Sequence, residues 1–174
     1  MKKVLGLGLL FVLVGCSDPT GGGELAITKH ENGATASRGY VITNAVSDEP
    51  IKVGDWVYYY EGGQKEKQGS YLEDQKEGVW TFWRKNGHRL GKSTWKNGYR
   101  EGVWTYWHPN GQKSLEGTWK NGLREGVETE WHENGQKSGE VTFNSDMPEG
   151  VWSYWDEQGN VTKTETYKNG ELVK

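Results

Sequence analysis

Apolar and polar positions alternate along most of this chain, in bursts of five or six residues. The stretch GVWTYWHPNGQ, residues 102–112, is representative: Val103, Trp104, Tyr106 and Trp107 fall in one run, and Asn110-Gly111 closes it. Runs of β-branched and aromatic residues suit strands, and Asn-Gly supplies the positive φ of a tight hairpin turn. After residue 24 no helical spacing of apolar residues competes. The bursts also keep a period. Glycines 54, 78, 102, 126 and 150 stand 24 residues apart, and each opens a similar repeat. The third place reads Trp56, Trp80, Trp104, Glu128, Trp152, and the sixth reads Tyr59, Trp83, Trp107, Trp131, Trp155. The tenth is always glycine, and the eighteenth is Tyr71, Trp95, Trp119, Phe143, Tyr167. A second Asn-Gly, at 97–98, 121–122 and 169–170, turns the chain back.

A fixed period of this length marks an array of one supersecondary unit. Each repeat reads as two short strands and two turns. The pattern predicts an all-β fold: an elongated, single-layer, twisted antiparallel sheet of repeated hairpins. Five repeats (54–77, 78–101, 102–125, 126–149, 150–174) give about ten strands, roughly 45 Å of sheet at the usual strand spacing. Residues 25–53 break the phase, yet His30–Gly33 repeats the HENG of His132–Gly135. They read as a degenerate repeat serving as an N-terminal cap, because an end unit has no outer neighbour to bury against.

The first residues follow another pattern. Basic Lys2-Lys3 precedes an apolar run, Val4 to Val14, and small residues lead to Cys16. About eleven apolar residues are too few to span a bilayer, where roughly 20 are needed. The segment 1–15 therefore reads as a secretory signal rather than as part of the fold. LVGC, residues 13–16, resembles the lipobox of bacterial lipoproteins. That resemblance implies cleavage before Cys16, acylation of its thiol and new amino group, and attachment to the membrane through that lipid. Ser17 follows where sorting to the inner membrane favours Asp. By the same resemblance a Gram-negative host would place the protein on the outer membrane, and a Gram-positive host on the outer face of the cell membrane. Residues 16–24, with Pro19 and three glycines, make a flexible tether.

Composition narrows the function. Hydrophobic residues are only 33% of the 174, and ten Trp must do much of the burying. A formal charge of −3 gives no field that would attract nucleic acid. Cys16 is the only cysteine, so a lipidated chain has no disulfide and no cysteine nucleophile. His30, His108 and His132 share the seventh place, about 9.5 Å apart on alternate strands, too far for one zinc ion; they read as solvated strand-end residues. Glu77, Glu101, Glu125 and Glu149 form a row too regular for one catalytic pair, and three of them follow a base, which suggests turn ion pairs. No motif for a nucleophile, a phosphate loop or a metalloprotease is present, so no catalytic residue, metal or cofactor is expected.

EGTWKNGLREG, residues 116–126, resembles the MORN repeat, an aromatic-and-glycine hairpin module. The 24-residue form with WTYW resembles the MORN-variant repeats of bacterial proteins, many of them YwqK-type antitoxins of toxin–antitoxin pairs. The resemblance covers residues 54–174 and implies a scaffold rather than an active site.

Two oddities fall together. In a strand, the third and fifth places share one face. That face carries Trp104 and Tyr106, and Trp152 and Tyr154, but Glu128 and Glu130 in the fourth repeat. A face that accepts two carboxylates is expected to be wet, which makes the sixth-place row the spine and the third-fifth row a contact surface. The fourth repeat also has six acids and one base, the second six bases and one acid. These features suggest a protein partner at Glu128, Glu130, Trp104, Tyr106, Trp152 and Tyr154, with self-association of complementary repeats as a variant. The expected function is a membrane-tethered, non-enzymatic scaffold that binds a protein at the bacterial cell envelope. The alternatives are an antitoxin or immunity protein, and an envelope hydrolase or carbohydrate-binding module.

Overall fold

A computed structural model describes residues 12–17 by their backbone and residues 23–173 in full. The Cys16 side chain, and most of the expected leader and tether, lie outside the described residues. No helix is found among the residues described. The chain forms two compact bodies, Met1–Gly87 and His88–Lys174. In the first, β1 (Val12–Ser17), β2 (Glu24–Lys29), β3 (Thr35–Thr43), β4 (Pro50–Tyr59), β5 (Lys65–Leu72) and β6 (Gln75–Trp83) pair in chain order, each antiparallel to the next. The sequence assigns residues 1–15 to a signal outside the fold and 16–24 to a flexible tether, yet in the uncut chain Val12–Ser17 pairs with β2. Cleavage before Cys16 would remove the partners of Ile27, Ala26 and Leu25 and leave Ser17 opposite Glu24.

The second body repeats the meander. Its strands are β7 (Arg89–Lys96), β8 (Tyr99–Trp107), β9 (Lys113–Lys120), β10 (Leu123–Arg124), β11 (Gly126–Trp131), β12 (Lys137–Asn144), β13 (Met147–Trp155), β14 (Val161–Lys168) and β15 (Glu171–Leu172). Neighbours pair antiparallel in order, with β10 and β11 both on β9. Strands β2 and β3 make a hairpin of the same kind, with Gly33 at the same positive-φ turn place as Gly63, Gly111, Gly135 and Gly159.

Four of the five glycines that mark the period, Gly54, Gly78, Gly102 and Gly150, sit inside strands, while Gly126 opens β11. Gly78 and Gly102 lie inside β6 and β8 with φ of 66° and 75°. A left-handed residue inside a strand inserts a bulge, which glycine adopts without steric cost. Opposite these glycines the register shifts, between Gln68 and Ser70 and between Ser93 and Trp95. The tight returns put two successive residues at positive φ: Asn97-Gly98, Asn121-Gly122 and Asn169-Gly170, but also Glu73-Asp74 and Ser145-Asp146. That geometry is the two-residue hairpin turn whose twist matches the strands.

The buried rings overturn the expected face assignment. Trp56, Trp80 and Trp104, all third-place residues, are 1%, 0% and 8% exposed. The sixth-place residues Tyr59, Trp83, Trp107, Trp131 and Trp155 are only half-buried. The third-fifth row is therefore the spine of the sheet, and the reading of Trp104 as an exposed contact residue is corrected. The physical reason lies on the neighbouring strand. A Cβ at Gly69 would fall 2.4 Å from the Trp80 ring, and one at Gly39 2.3 Å from Trp56. Each indole lies flat on bare backbone, where no side chain holds it off. A large ring buried this way contributes on the order of 4 kcal/mol of apolar transfer, as an upper estimate.

Candidate functional site

The inner face of each body is built from repeated aromatics. In the first, Trp56, Tyr58, Tyr71, Trp80 and Phe82 form a continuous series, with ring centroids 5.0 to 6.5 Å apart. The hydroxyls of Tyr58 and Tyr71 are 3.1 Å apart, and burial raises the pKa of both above that of a free phenol. In the second body Trp104 meets Tyr106 and Trp119, while Trp152 meets Phe143 and Tyr167.

Basic side chains cover these rings at one fixed place, two residues before Gly54, Gly78, Gly102 and Gly126; Pro148 holds that place before Gly150. Lys52 Nζ stands 5.2 Å from the centroids of both Trp56 and Tyr71, and Lys76 Nζ stands 4.7 Å from Trp80. The Arg100 guanidinium lies 5.5, 5.9 and 4.8 Å from Trp95, Trp104 and Trp119. Arg124 lies 3.8 Å from Phe143. Each such pair contributes about 0.5–2 kcal/mol, more as water is excluded. The bases read from sequence as turn ion-pair partners are thus ring covers. Among them Arg124 also has an ion pair, from Nε to Asp146 at 2.9 Å. Backbone and side-chain hydrogen bonds from Arg124 hold the Asp146 carboxyl below its ordinary pKa.

The glutamate row has its own task. Glu101, Glu125 and Glu149 each accept the backbone N–H of a turn residue one repeat on, Asn121, Ser145 and Asn169, at 2.7 to 3.0 Å. They cap turns. The seventh-place residues act similarly at the other end of the strands. His30 Nε2 donates to the carbonyl of Tyr59, His108 to Trp131 and His132 to Trp155, at 2.7 to 2.8 Å. Tyr60, in the same place, donates to Trp83. The amides of Asn32, Asn110 and Asn134 donate to Glu61, Glu133 and Glu157 in the next repeat. These histidines, expected to be solvated, are joints between hairpins. Among the described residues no group of three or more His, Cys, Asp or Glu could hold a metal ion.

Glu128 and Glu130 sit where the ladder breaks. Glu128 is half-buried at the tryptophan place, and burial raises its pKa, with Arg124 opposing and Glu130 reinforcing the shift. Glu130 is exposed. The break also reaches Trp104. Trp56, Trp80 and Trp152 donate Nε1 to the carbonyls of Tyr40, Ser70 and Thr142 on the preceding strand. Trp104 faces the other way: its Nε1 lies 2.8 Å from where a Cβ at Gly117 would stand, on the following strand, and has no partner. Two residues differ around this ring. Ser93 replaces the glycine that a ring would cover on the preceding strand. Glu128 leaves Gly117 without the ring that would cover it, and its Cγ takes only 3.3 Å proximity to that notch. Of the expected contact residues, the structure gathers Trp104, Tyr106, Glu128 and Glu130 around this break, and Trp152 and Tyr154 beside it. Sequence reasoning noted the bases Lys76, Arg100 and Arg124 as ion-pair partners but missed their role over the rings, and missed Lys52. The signal was present as Lys52, Lys76, Arg100 and Arg124, each 24 residues after the last.

Tandem hairpins that each carry the same aromatic, glycine and basic places define a repeat protein. The MORN repeat variant family model matches residues 52–73, 100–121, 124–145 and 148–169, together about half of the chain. The protein belongs to the MORN repeat variant family, a non-catalytic repeat type. No curated protein matches it.

Proposed function

We propose that this protein is a lipid-anchored, non-enzymatic scaffold that docks a protein partner at the bacterial cell envelope, through the inner face of residues 88–174. The observation that carries this reading is the half-buried carboxylate of Glu128 at a tryptophan place. Desolvating a carboxylate costs stability, and the fold needs no acid there, since the four other repeats with the same hairpin have Trp. Glu130 adds an exposed carboxylate on the same face. The Leu13–Cys16 motif supports the anchor, and Ser17 supports the outer membrane in a Gram-negative host. An antitoxin or immunity role is the narrower form of this reading. The six acids of residues 126–149 favour it, because such a patch suits a basic toxin surface.

The test is a cross-linked pull-down from native membranes, read by mass spectrometry, comparing wild type with Glu128→Gln plus Glu130→Gln. These isosteric changes keep side-chain volume. Capture of one protein by wild type and its loss in the variant is expected. Capture of the same set by both, or of nothing, refutes the docking site. A captured protein that kills cells lacking the scaffold supports the immunity form.

A further inference from the structure

Two outer strands of the molecule are guarded unequally. In the second body, β14 carries Lys163 and Glu165 in mid-strand, paired with each other at 2.8 Å, and β15 covers Tyr167 and Lys168. Charges in mid-strand and a short covering strand keep a sheet edge from adding further strands. In the first body, β2 reads ELAITK, with its charges confined to the ends, Glu24 and Lys29. It has no proline, and its pairing with β3 is regular from Glu24 to Thr28. What covers it in the uncut chain is β1, through Val12↔Ile27, Leu13↔Ala26 and Val14↔Leu25. Cleavage before Cys16 would strip those partners and leave the outward backbone N–H and C=O groups of Leu25–Ile27 without a ladder. Only Cys16 would remain ahead of Ser17, too little chain to replace the lost strand.

We infer that in the cut chain this edge pairs with the same edge of a second copy, antiparallel, as a two-fold dimer. The strand is complementary to itself. With the axis at Ala26, Ala26 faces Ala26 of the second copy, Leu25 faces its Ile27, and Glu24 faces its Thr28. Apolar residues meet apolar ones, and no like charges are opposed. The faces also stay in step. Ala26 and Thr28 are buried while Leu25 and Ile27 are half-buried, so each meeting joins residues of one face. Ser17, by then the start of the tether, yields its place beside Glu24. Such a contact is isologous and closes at two copies, and the guarded β14 edge offers no second way to grow. A strand of six residues is a small contact, below the area of a dimer stable in free solution. Lipid anchors offset this, because they hold both copies at one membrane surface and raise their effective concentration. The inference rests on the lipid-anchor reading above, which supplies the cut.

The test uses two tagged copies of the full chain in the same cells, one Leu25→Cys and the other Ile27→Cys, with mild oxidation of the membranes. Directly opposed residues have Cβ atoms about 5 Å apart, near disulfide reach, and diagonal ones about 7–8 Å, beyond it. A disulfide-linked dimer carrying both tags is expected, several-fold stronger than the band from either variant alone. Adding Ile27→Lys to the first copy and Leu25→Lys to the second opposes two like charges and should cut the band about tenfold. Ile27→Lys against Leu25→Glu makes that pair opposite in sign and should restore the band, which also shows that a charge on this edge leaves the fold intact. No mixed dimer, equal bands from either variant alone, or a band indifferent to the charge swap overturns the inference. A disulfide to a different protein in place of the second copy also overturns it, and points to a foreign strand on this edge. Intact mass of the extracted chain reads the cut. An uncut, unlipidated chain overturns both the anchor reading and the open edge. A cut, lipidated chain without the mixed dimer leaves the anchor standing and removes the dimer.

Discussion

Trp80 and Trp104 hold the same place in neighbouring repeats and lean in opposite directions. Trp80 lies back over Gly69 and donates its indole N–H to the carbonyl of Ser70 at 3.1 Å. Trp104 leans forward over Gly117 and leaves its N–H without a partner. In these two repeats each ring lies over the glycine beside it, Gly69 for Trp80 and Gly117 for Trp104. Trp104 thereby gives up a hydrogen bond worth about 1 kcal/mol, while Trp152, with Val141 in place of the glycine, still donates back to Thr142.

The largest break of this comparison is Gly69→Val. Its Cβ would stand 2.4 Å from the Trp80 ring, so the ring must leave a fully buried place. A loss of about 3 kcal/mol or more is expected in urea denaturation, against a smaller loss of about 1 kcal/mol for Gly87→Ala, where the space is open and only the positive φ resists. Next comes Glu128→Trp, which restores the repeat but sends a second ring to the notch that Trp104 already fills. It should cost about 1–3 kcal/mol alone, and Ser93→Gly should recover most of that by letting Trp104 swing back. Additive effects of the two changes would refute the coupling. A smaller effect separates Trp80→Phe from Trp104→Phe. The first removes a satisfied donor and the second an orphan, so the first should be more destabilising by about 1 kcal/mol.

The smallest effect is in pH. Burial raises the Glu128 pKa above its ordinary 4.5, so the folded state holds that proton more tightly than the unfolded chain. The resulting stability is fully present below pH 4.5 and is lost as pH rises through the higher folded value. Glu128→Gln should therefore flatten the decline in melting temperature across that window. An unchanged profile would show that the carboxylate is solvated.

The period, the hairpins and the all-β class were legible in the sequence because they depend on local residues: Asn-Gly at the returns, glycine at the bulges, aromatics at fixed places. The buried face was not. Two glutamates on a face argue that it is wet, and Glu128 was weighed as if every repeat shared its surroundings. Burial at Trp80 depends instead on Gly69, a residue of the adjacent strand, and a strand-by-strand reading has no access to that register. The histidines show the same gap. His108 looks like a free strand end until the neighbouring hairpin brings the carbonyl of Trp131 within 2.7 Å. In the contact region, the place of Glu128 was legible and its effect on Trp104 was not, since that effect needs Ser93 and Gly117 as well.

The His and Asn joints have a direction. Where His and Asn hold these places, a hairpin gives hydrogens from its turn to the carbonyls at the end of the next hairpin's first strand and in its turn, so such a unit has a plug on one side and a socket on the other. Such a grammar permits words of any length. A gene segment of 24 codons copied in phase would add a hairpin whose joints already match both neighbours, while a copy out of phase would match neither. Growth and shrinkage by whole repeats is then the cheapest way for a lineage of such proteins to change the extent of its binding face, because no new contact has to be invented.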